Sequence, residues 1–334
     1  MILITIFGLW FVLAILISRN RPSVRRFALK RLVWVPILFI PIWFGTYSMM
    51  KAAPGDPVYI IAGSHASEEV LEATREAYGL NRPHLVQFAD DTWKQTNGNS
   101  GDSFIFPGKT VAQLAAERIP YSFAITFPSL LIILAMGLTV GLWATFKKGT
   151  WLDTFLLSSA LFWQAFPSLI LIQFLMLVFS VKLGWLPVGW SGDWTAVFTT
   201  TAIIPIVTMS LGGIAGMARF VRTVTLNVVD EPYINAAKSR GLGPFRIATR
   251  YVLHNASLPL VTVLLPMFFL SFEGSFFIEK IYGIPGFSNF ALEALFARDY
   301  PFLLFFAFWG TLLGLFIKWL TDMLYVRLDP RATQ

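Results

Sequence analysis

The chain has no cysteine and only three histidines, and charged side chains make up 13% of its 334 residues. Without cysteine there is no disulfide framework and no thiolate ligand for a structural metal. His65, His84 and His254 are too scattered for a zinc site, no H-E-x-x-H pair is present, and no G-x-S-x-G turn offers a nucleophile. Gly108-Lys109-Thr110 ends like a phosphate-binding loop, but Ser103 stands where that motif requires its first glycine. Hydrolytic and nucleotide-binding chemistry therefore has no visible residues. The scarcity of charge carries further. A soluble domain has roughly a quarter charged residues, so this chain has too few to cover a surface facing water. In their place 56% of the residues are hydrophobic, with 32 Phe and 12 Trp, and the mean hydropathy is +0.64. That composition excludes a disordered chain and an ordinary cytosolic enzyme, and it points to an integral membrane protein.

Seven apolar stretches reach the roughly 17–25 residues that a crossing needs: 2–18, 32–51, 121–146, 152–181, 198–218, 256–278 and 302–326. None alternates with a period of two over about ten residues, so an all-α protein is expected rather than a barrel. The fourth stretch is overlong and holds Gln164, Pro167 and Gln173, which predicts a kinked helix with its polar groups turned to protein or water. Glu273 lies inside the sixth stretch without a local partner. Charge in hydrocarbon costs at least about 2.5 kcal/mol, so Glu273 either faces a water-filled pathway or packs protonated or paired. Gln164, Gln173 and Glu273 are the candidate pathway residues. In the last stretch Lys318 and Asp322, four apart, suit a helix-spaced ion pair near its cytoplasmic end.

The net charge of +7 acts as an address rather than as a nucleic-acid signal. Arg19, Arg21, Arg25, Arg26, Lys30 and Arg31 lie between the first two spans with no acid among them, and Lys147 and Lys148 follow the third. The connection 219–250 has Arg219, Arg222, Lys238, Arg240, Arg246 and Arg250 against Asp230 and Glu231. Segment 52–120 holds five basic and nine acidic residues, and 279–300 two and three. Basic loops stay inside, so seven spans place the N-terminus outside and the C-terminus in the cytoplasm. The first stretch has no basic leader and no A-x-A-like site after it, which predicts a retained N-out anchor rather than a cleaved signal.

Outside, residues 67–78 begin with Ser67, Glu68 and Glu69 and predict a short acidic helix, in a segment too small for an enzyme domain. Inside, 219–255 carries the most unusual pattern. Pro232 follows Asp230-Glu231 as a helix start, Ala236 and Ala237 favour helix, Gly241 supplies a stop, and a second basic helix is expected from about Pro244 to Leu253. A basic loop at the lipid headgroups would satisfy the charge. The helix–Gly–helix arrangement suits a docking element better.

Several motifs, in order, then carry a resemblance. Arg25 to Leu32 followed by Ala53-Pro54-Gly55-Asp56-Pro57, Tyr78-Gly79-Leu80-Asn81-Arg82-Pro83 with Val86-Gln87-Phe88, and Gly184-Trp185-Leu186-Pro187 form the first half. Tyr233 to Leu242, His254-Asn255-Ala256, Leu258-Pro259, Gly274-Ser275, Glu279, Pro285-Gly286, Arg298-Asp299-Tyr300-Pro301 and Asp329-Pro330-Arg331 form the second. In this order and spacing, over residues 24–331, the chain resembles the B-type permease subunit of bacterial ABC importers for dipeptides, oligopeptides and nickel.

The resemblance implies a type I importer permease fold of six core helices in the bacterial inner membrane: a basic cytoplasmic segment and first core helix (21–51), an extracytoplasmic segment (52–120), a five-helix core (121–326) with the coupling segment 219–255, and a cytoplasmic tail (327–334); the helix within residues 1–20 is an addition to that pattern, with no role implied by it. It implies a homologous second permease, two ATPase subunits that use ATP and magnesium, a substrate-binding protein and a peptide cargo, with no cofactor and no nucleic acid on this chain. Tyr233, Asn235, Ala236, Ala237, Lys238, Arg240, Gly241 and Leu242 would enter a groove on the ATPase. The small residues would allow close approach, and Lys238 and Arg240 would pair with acidic groups at its rim. Asn235 stands where the general importer loop has Glu, and Phe287-Ser288 where the family has Leu or Met and then Gly. Nickel chelate, glutathione or an antimicrobial peptide are alternative cargoes. A secondary transporter or channel is the alternative of another class, disfavoured by the lack of internal repeats and the few charges in the spans. An intramembrane enzyme lacks its nucleophile and metal motifs.

Overall fold

A computed structural model describes residues 2–17, 22–52, 58–63, 65–273 and 275–328. In chain order its helices are α1 (Ile2–Ile17), α2 (Pro22–Ala52), α3 (Val58–Ala62), α4 (Glu68–Ala77), α5 (His84–Thr96), α6 (Val111–Phe146), α7 (Trp151–Gln164), α8 (Ser168–Leu175), α9 (Ile203–Val229), α10 (Pro232–Ser239), α11 (Pro244–Ile247), α12 (Leu253–Glu273), α13 (Phe276–Tyr282), α14 (Phe287–Ala297) and α15 (Tyr300–Leu328). No strand occurs among the described residues. Four spans, Val24–Ala52, Val111–Phe146, Thr200–Val229 and Tyr300–Arg327, are long and apolar enough to cross a membrane, and α7–α8 makes a fifth if taken as one bent span. The 16-residue α1 and 21-residue α12 lie in the other two apolar stretches.

The kink expected in the fourth stretch is a bend of 92° between Trp151–Gln164 and Ser168–Lys182. Pro167 causes it, because it offers no N–H to the helix and disfavours helical backbone at the residue before it. Its own ψ of 135° is extended. The second expected boundary is corrected. The fifth span does not end at residue 218: α9 runs on to Val229 and carries Arg219 and Arg222 within the helix rather than in a loop. Both arginines have partners on α7, described below, which lets the helix hold charges that a hydropathy reading assigns to a connection. The acidic helix is α4, with Ser67 at its N-cap position but no side-chain cap bond. Helix α5 was not expected.

The described chain forms two compact units, one of residues up to 118 with those from 290 onward, the other of 119–289. In the first, α1 packs on α2 and α15. Trp10 lies 4.9 Å from Phe316 and stacks on Trp319 at 6.0 Å, while Ala14 and Ala28 are buried beside Trp319 and Met323. The small alanines let three helices close on the indole. Trp43 and Tyr47 of α2 meet Phe88 of α5, and Trp43 Nε1 donates to Thr92 at 2.8 Å. Asp299 is fully buried at the start of α15, where it accepts from Ser103 Oγ and from the Phe302 amide at 3.3 Å. Lys318 and Asp322 do pair, at 3.2 Å, and Arg31 adds a second cation at 3.6 Å.

In the second unit α6 crosses α9 at glycines. A Cβ on Gly137 would stand 2.5 Å from Met217 Cβ, and one on Gly141 would stand 2.6 Å from the carbonyl oxygen of Ala218. This G-x-x-x-G face replaces side-chain packing with backbone contact. Gly141→Val is expected to destabilise the unit by about 1–3 kcal/mol, since a backbone oxygen cannot rotate away. Gly212→Ala, on α9 with open space at its Cβ, is the control and should change stability little. Thermal unfolding in detergent separates the two.

Past α12 the same unit holds a buried acid. Glu279 is fully buried and accepts from Ser122 Oγ at 2.6 Å, Ser275 Oγ at 2.9 Å and the Asn289 amide at 2.7 Å. Burial raises its pKa, and the hydrogen bonds oppose that rise. Gly286 has no room for a side chain, since a Cβ would lie 2.5 Å from the Glu279 carboxyl carbon and 2.8 Å from Ser122 Oγ. The sequence pairing of Glu279 with Pro285-Gly286 thus has a steric cause.

Candidate functional site

The helix pair α10–α11 in the second unit is exposed along its outer face. Pro232 sits in the first turn of α10, where a missing N–H costs nothing. The helix ends in a Schellman turn: the Gly241 amide donates to Lys238 O at 2.9 Å and the Leu242 amide to Ala237 O at 3.3 Å. Gly241 has φ +73°, in the left-handed region. No atom lies within 4 Å of a Cβ placed on it, so the glycine answers to backbone conformation and not to crowding within this chain. Gly241→Asn, which tolerates that region, is expected to be as stable as the natural chain, and Gly241→Val to lose about 1–2 kcal/mol. Chemical denaturation of the purified chain checks this.

The residues chosen from sequence divide between two faces. Tyr233, Asn235, Ala236, Lys238, Arg240 and Gly241 are exposed. Ala237 is buried, and Leu242 is half-buried. Ala237 therefore does not offer a small surface to a partner; it packs with Ile234, Ile247 and Val252 against Leu142, Phe146, Val228 and Val229. Its size matters inward, where it lets α10 lie on the ends of α6 and α9. The sequence pattern does not single out Ile234 or Phe245. Ile234 is fully buried and seats the helix, whereas Phe245 is 82% exposed. The i, i+3 spacing of Ile234 and Ala237 marks the inward face, and a lone phenylalanine after Pro244 marks the outward one. The second helix differs from expectation as well. It is α11 followed by a π-turn at Ala248–Val252, and it runs on into α12.

This turn is tied to its unit by polar contacts. Lys148 pairs with Asp230 at 3.2 Å. Thr145 and Thr225 hydroxyls meet at 2.7 Å between α6 and α9. Asp153, at the start of α7, receives both Arg222 Nε at 2.9 Å and Arg222 Nη2 at 2.8 Å. Thr150 caps α7 through the Asp153 amide, and the Gly149 amide donates to Asp153 Oδ2 at 3.2 Å. The forked guanidinium and the carboxylate in the capped first turn of α7 fix α7 on α9 in one register.

Of the pathway residues, Gln164 ends α7 at the bend, exposed, and its Oε1 accepts from Arg219 Nη2. Gln173 is exposed on α8, and no hydrogen bond joins it to Gln164 or Arg219 among the described residues. The side chain of Glu273 lies outside the described residues. Arg219 was counted as a topological charge and missed as a partner of Gln164.

Residues 137–334 match the family described as binding-protein-dependent transport system inner membrane component. The chain is 32% identical to the oligopeptide transport system permease protein OppB of Salmonella typhimurium, over 92% of this chain and 98% of the relative. It is 30% identical to OppB of Haemophilus influenzae over the same shares, and 30% identical to the glutathione transport system permease protein GsiC of Shigella flexneri over 91% and 97%. Among solved structures, the fold is shared with a chain of the MetNI methionine ABC transporter in inward facing conformations. There the TM-score is 0.51 and the identity 18%, covering 66% of this chain and 96% of that one. With four helices long and apolar enough to cross a membrane, a fifth if the bent pair is one span, and a family match over more than half its length, this multi-pass membrane chain belongs to the family of binding-protein-dependent transport system inner membrane components.

Proposed function

We propose that this chain forms half of the membrane pathway of an ATP-driven importer for peptides, with its N-terminus outside and its C-terminus in the cytoplasm. The observation that carries the reading is identity of 30–32% to permeases named for oligopeptides, over nearly the full length of both. A second permease completes the pathway, a binding protein delivers the peptide, and two ATPase subunits hydrolyse ATP with magnesium at their own sites. The exposed segment 233–245 meets an ATPase, led by Phe245 and by the cations of Lys238 and Arg240.

The packing supports a mechanism. A push on α10 is not absorbed by a loose loop, because Ile234 and Ala237 bed it on α6 and α9. The Asp153–Arg222 fork then carries α7 with α9. Closure of the ATPase pair would therefore move these helices as one body and reorient the pathway, a rigid-body transition.

The test is purification in mild detergent followed by reconstitution. Co-purification of an ATPase pair and ATP-dependent uptake of a labelled tripeptide are expected. Isolation of the chain without any ATPase, or uptake driven by an ion gradient alone, would sink the reading. Glutathione is the second cargo to assay, given the 30% identity to a glutathione permease.

A further inference from the structure

We propose that Arg219, oriented by Gln164 at the α7–α8 bend, receives the C-terminal carboxylate of the peptide in transit. The proposal rests on the peptide-importer reading above. Its ground is an imbalance of charge between two arginines three residues apart on α9. Arg222 has a carboxylate, Asp153, in a two-pronged ion pair. Arg219 has none among the described residues, and its hydrogen bond goes to a neutral amide.

Depth makes that imbalance costly. The apolar stretch Thr200–Val229 has 30 residues. Arg219 lies within it, ten residues before its end. A guanidinium there must face water or an anion. Arg219 is on the exposed side of α9, opposite a bend whose residues 161–170 are all exposed. One acceptor, Gln164 Oε1, takes one of its five N–H donors and fixes the plane of the group, which leaves donors for a two-pronged bond to a carboxylate. Gln164 lies over α9 at Gly216, where a Cβ would stand in ordinary contact at 3.8 Å from its Nε2.

The surroundings suit a peptide end better than a bare ion. Phe162, Trp163 and Phe166 flank Gln164, with ring centroids 5.1 to 6.1 Å apart, and all three are at least 36% exposed. Aromatic faces accept side chains of any kind, whereas the carboxylate is common to every unmodified peptide. A permissive pathway needs that combination: one fixed point of recognition and an adaptable apolar wall.

The experiment uses the complete transporter in proteoliposomes, with trialanine as probe. Arg219→Gln and Gln164→Glu are each expected to cut ATP-driven uptake by roughly tenfold to a hundredfold, and Arg219→Lys by less, as for loss of a charged hydrogen-bond partner. Gln164→Glu discriminates, because it supplies an internal carboxylate to Arg219. A role limited to holding α7 on α9 would be strengthened by that change, and a carboxylate-receiving role would be blocked. Wild-type uptake by Gln164→Glu overturns the proposal. So does loss of the partner subunits on purification of both Arg219→Gln and Arg219→Lys, which would place Arg219 in an assembly interface. If the unaltered complex shows no ATP-driven trialanine uptake, the peptide-importer reading itself is rejected, and this site with it.

Discussion

Asp153→Ala is expected to cost about 2–4 kcal/mol of stability and to abolish most ATP-driven uptake. Removing one member of a buried ion pair leaves the other charge uncompensated, typically at about 3–5 kcal/mol. Here the Asp153 side chain is 7% exposed and Arg222 25%, so the arginine recovers some solvation and the cost is about 1 kcal/mol below that range. Loss of the carboxylate also leaves the Gly149 amide without its acceptor. Because the two residues act as a unit, Asp153→Leu combined with Arg222→Leu should be less damaging than either single change. Thermal unfolding in detergent reads the stability. Additive losses in the double variant would show that the fork is not the source of the effect. Arg222→Lys keeps the charge but loses the planar fork, so an intermediate loss is expected.

Two substitutions on the α10–α11 turn should separate seating from contact, with the second-largest effect. Ile234→Asp places an unpaired carboxylate in a fully buried position of the Ile247–Val252 cluster. The transfer penalty of an unsatisfied charge, at least several kcal/mol, should unseat α10, lower thermal stability and end uptake together. Phe245→Asp acts at an 82% exposed side chain. It should leave unfolding of the isolated chain unchanged while weakening co-purification of the ATPase by about tenfold or more, as when an exposed aromatic anchor is removed from an interface. Normal ATPase retention by Phe245→Asp would exclude this turn from the docking surface. Retention with no uptake would instead assign Phe245 to coupling after docking.

What was legible in the sequence follows from how each feature is encoded. Lipid solvation acts on every residue of a span, so apolar length alone placed α2, α6, α9 and α15 near their true positions. Pro167 acts locally through a missing donor, so the break in the fourth stretch was readable at residue level. The turn at Gly241 was readable for the same reason, since φ +73° is a local demand. Ala237, by contrast, was assigned to the wrong face. A small residue suits close approach on either side of a helix, and only the position of Ile247 and Val252 shows that it faces inward.

The arginines mark the boundary between the two kinds of information. Hydropathy counts Arg219 and Arg222 as polar and ends the span before them. In the fold they are residues of α9, because Asp153 and Gln164, 69 and 55 positions away, accept their N–H groups. By itself the sequence determined the solvent of this protein, the number of apolar stretches and the local breaks, since these depend on composition and on neighbours along the chain. The tertiary structure alone decided which charges are paired, which face of α10 is buried and why Gly141 and Gly286 have no room for a side chain. Those outcomes depend on atoms brought together from distant parts of the chain, and no local pattern records their distance.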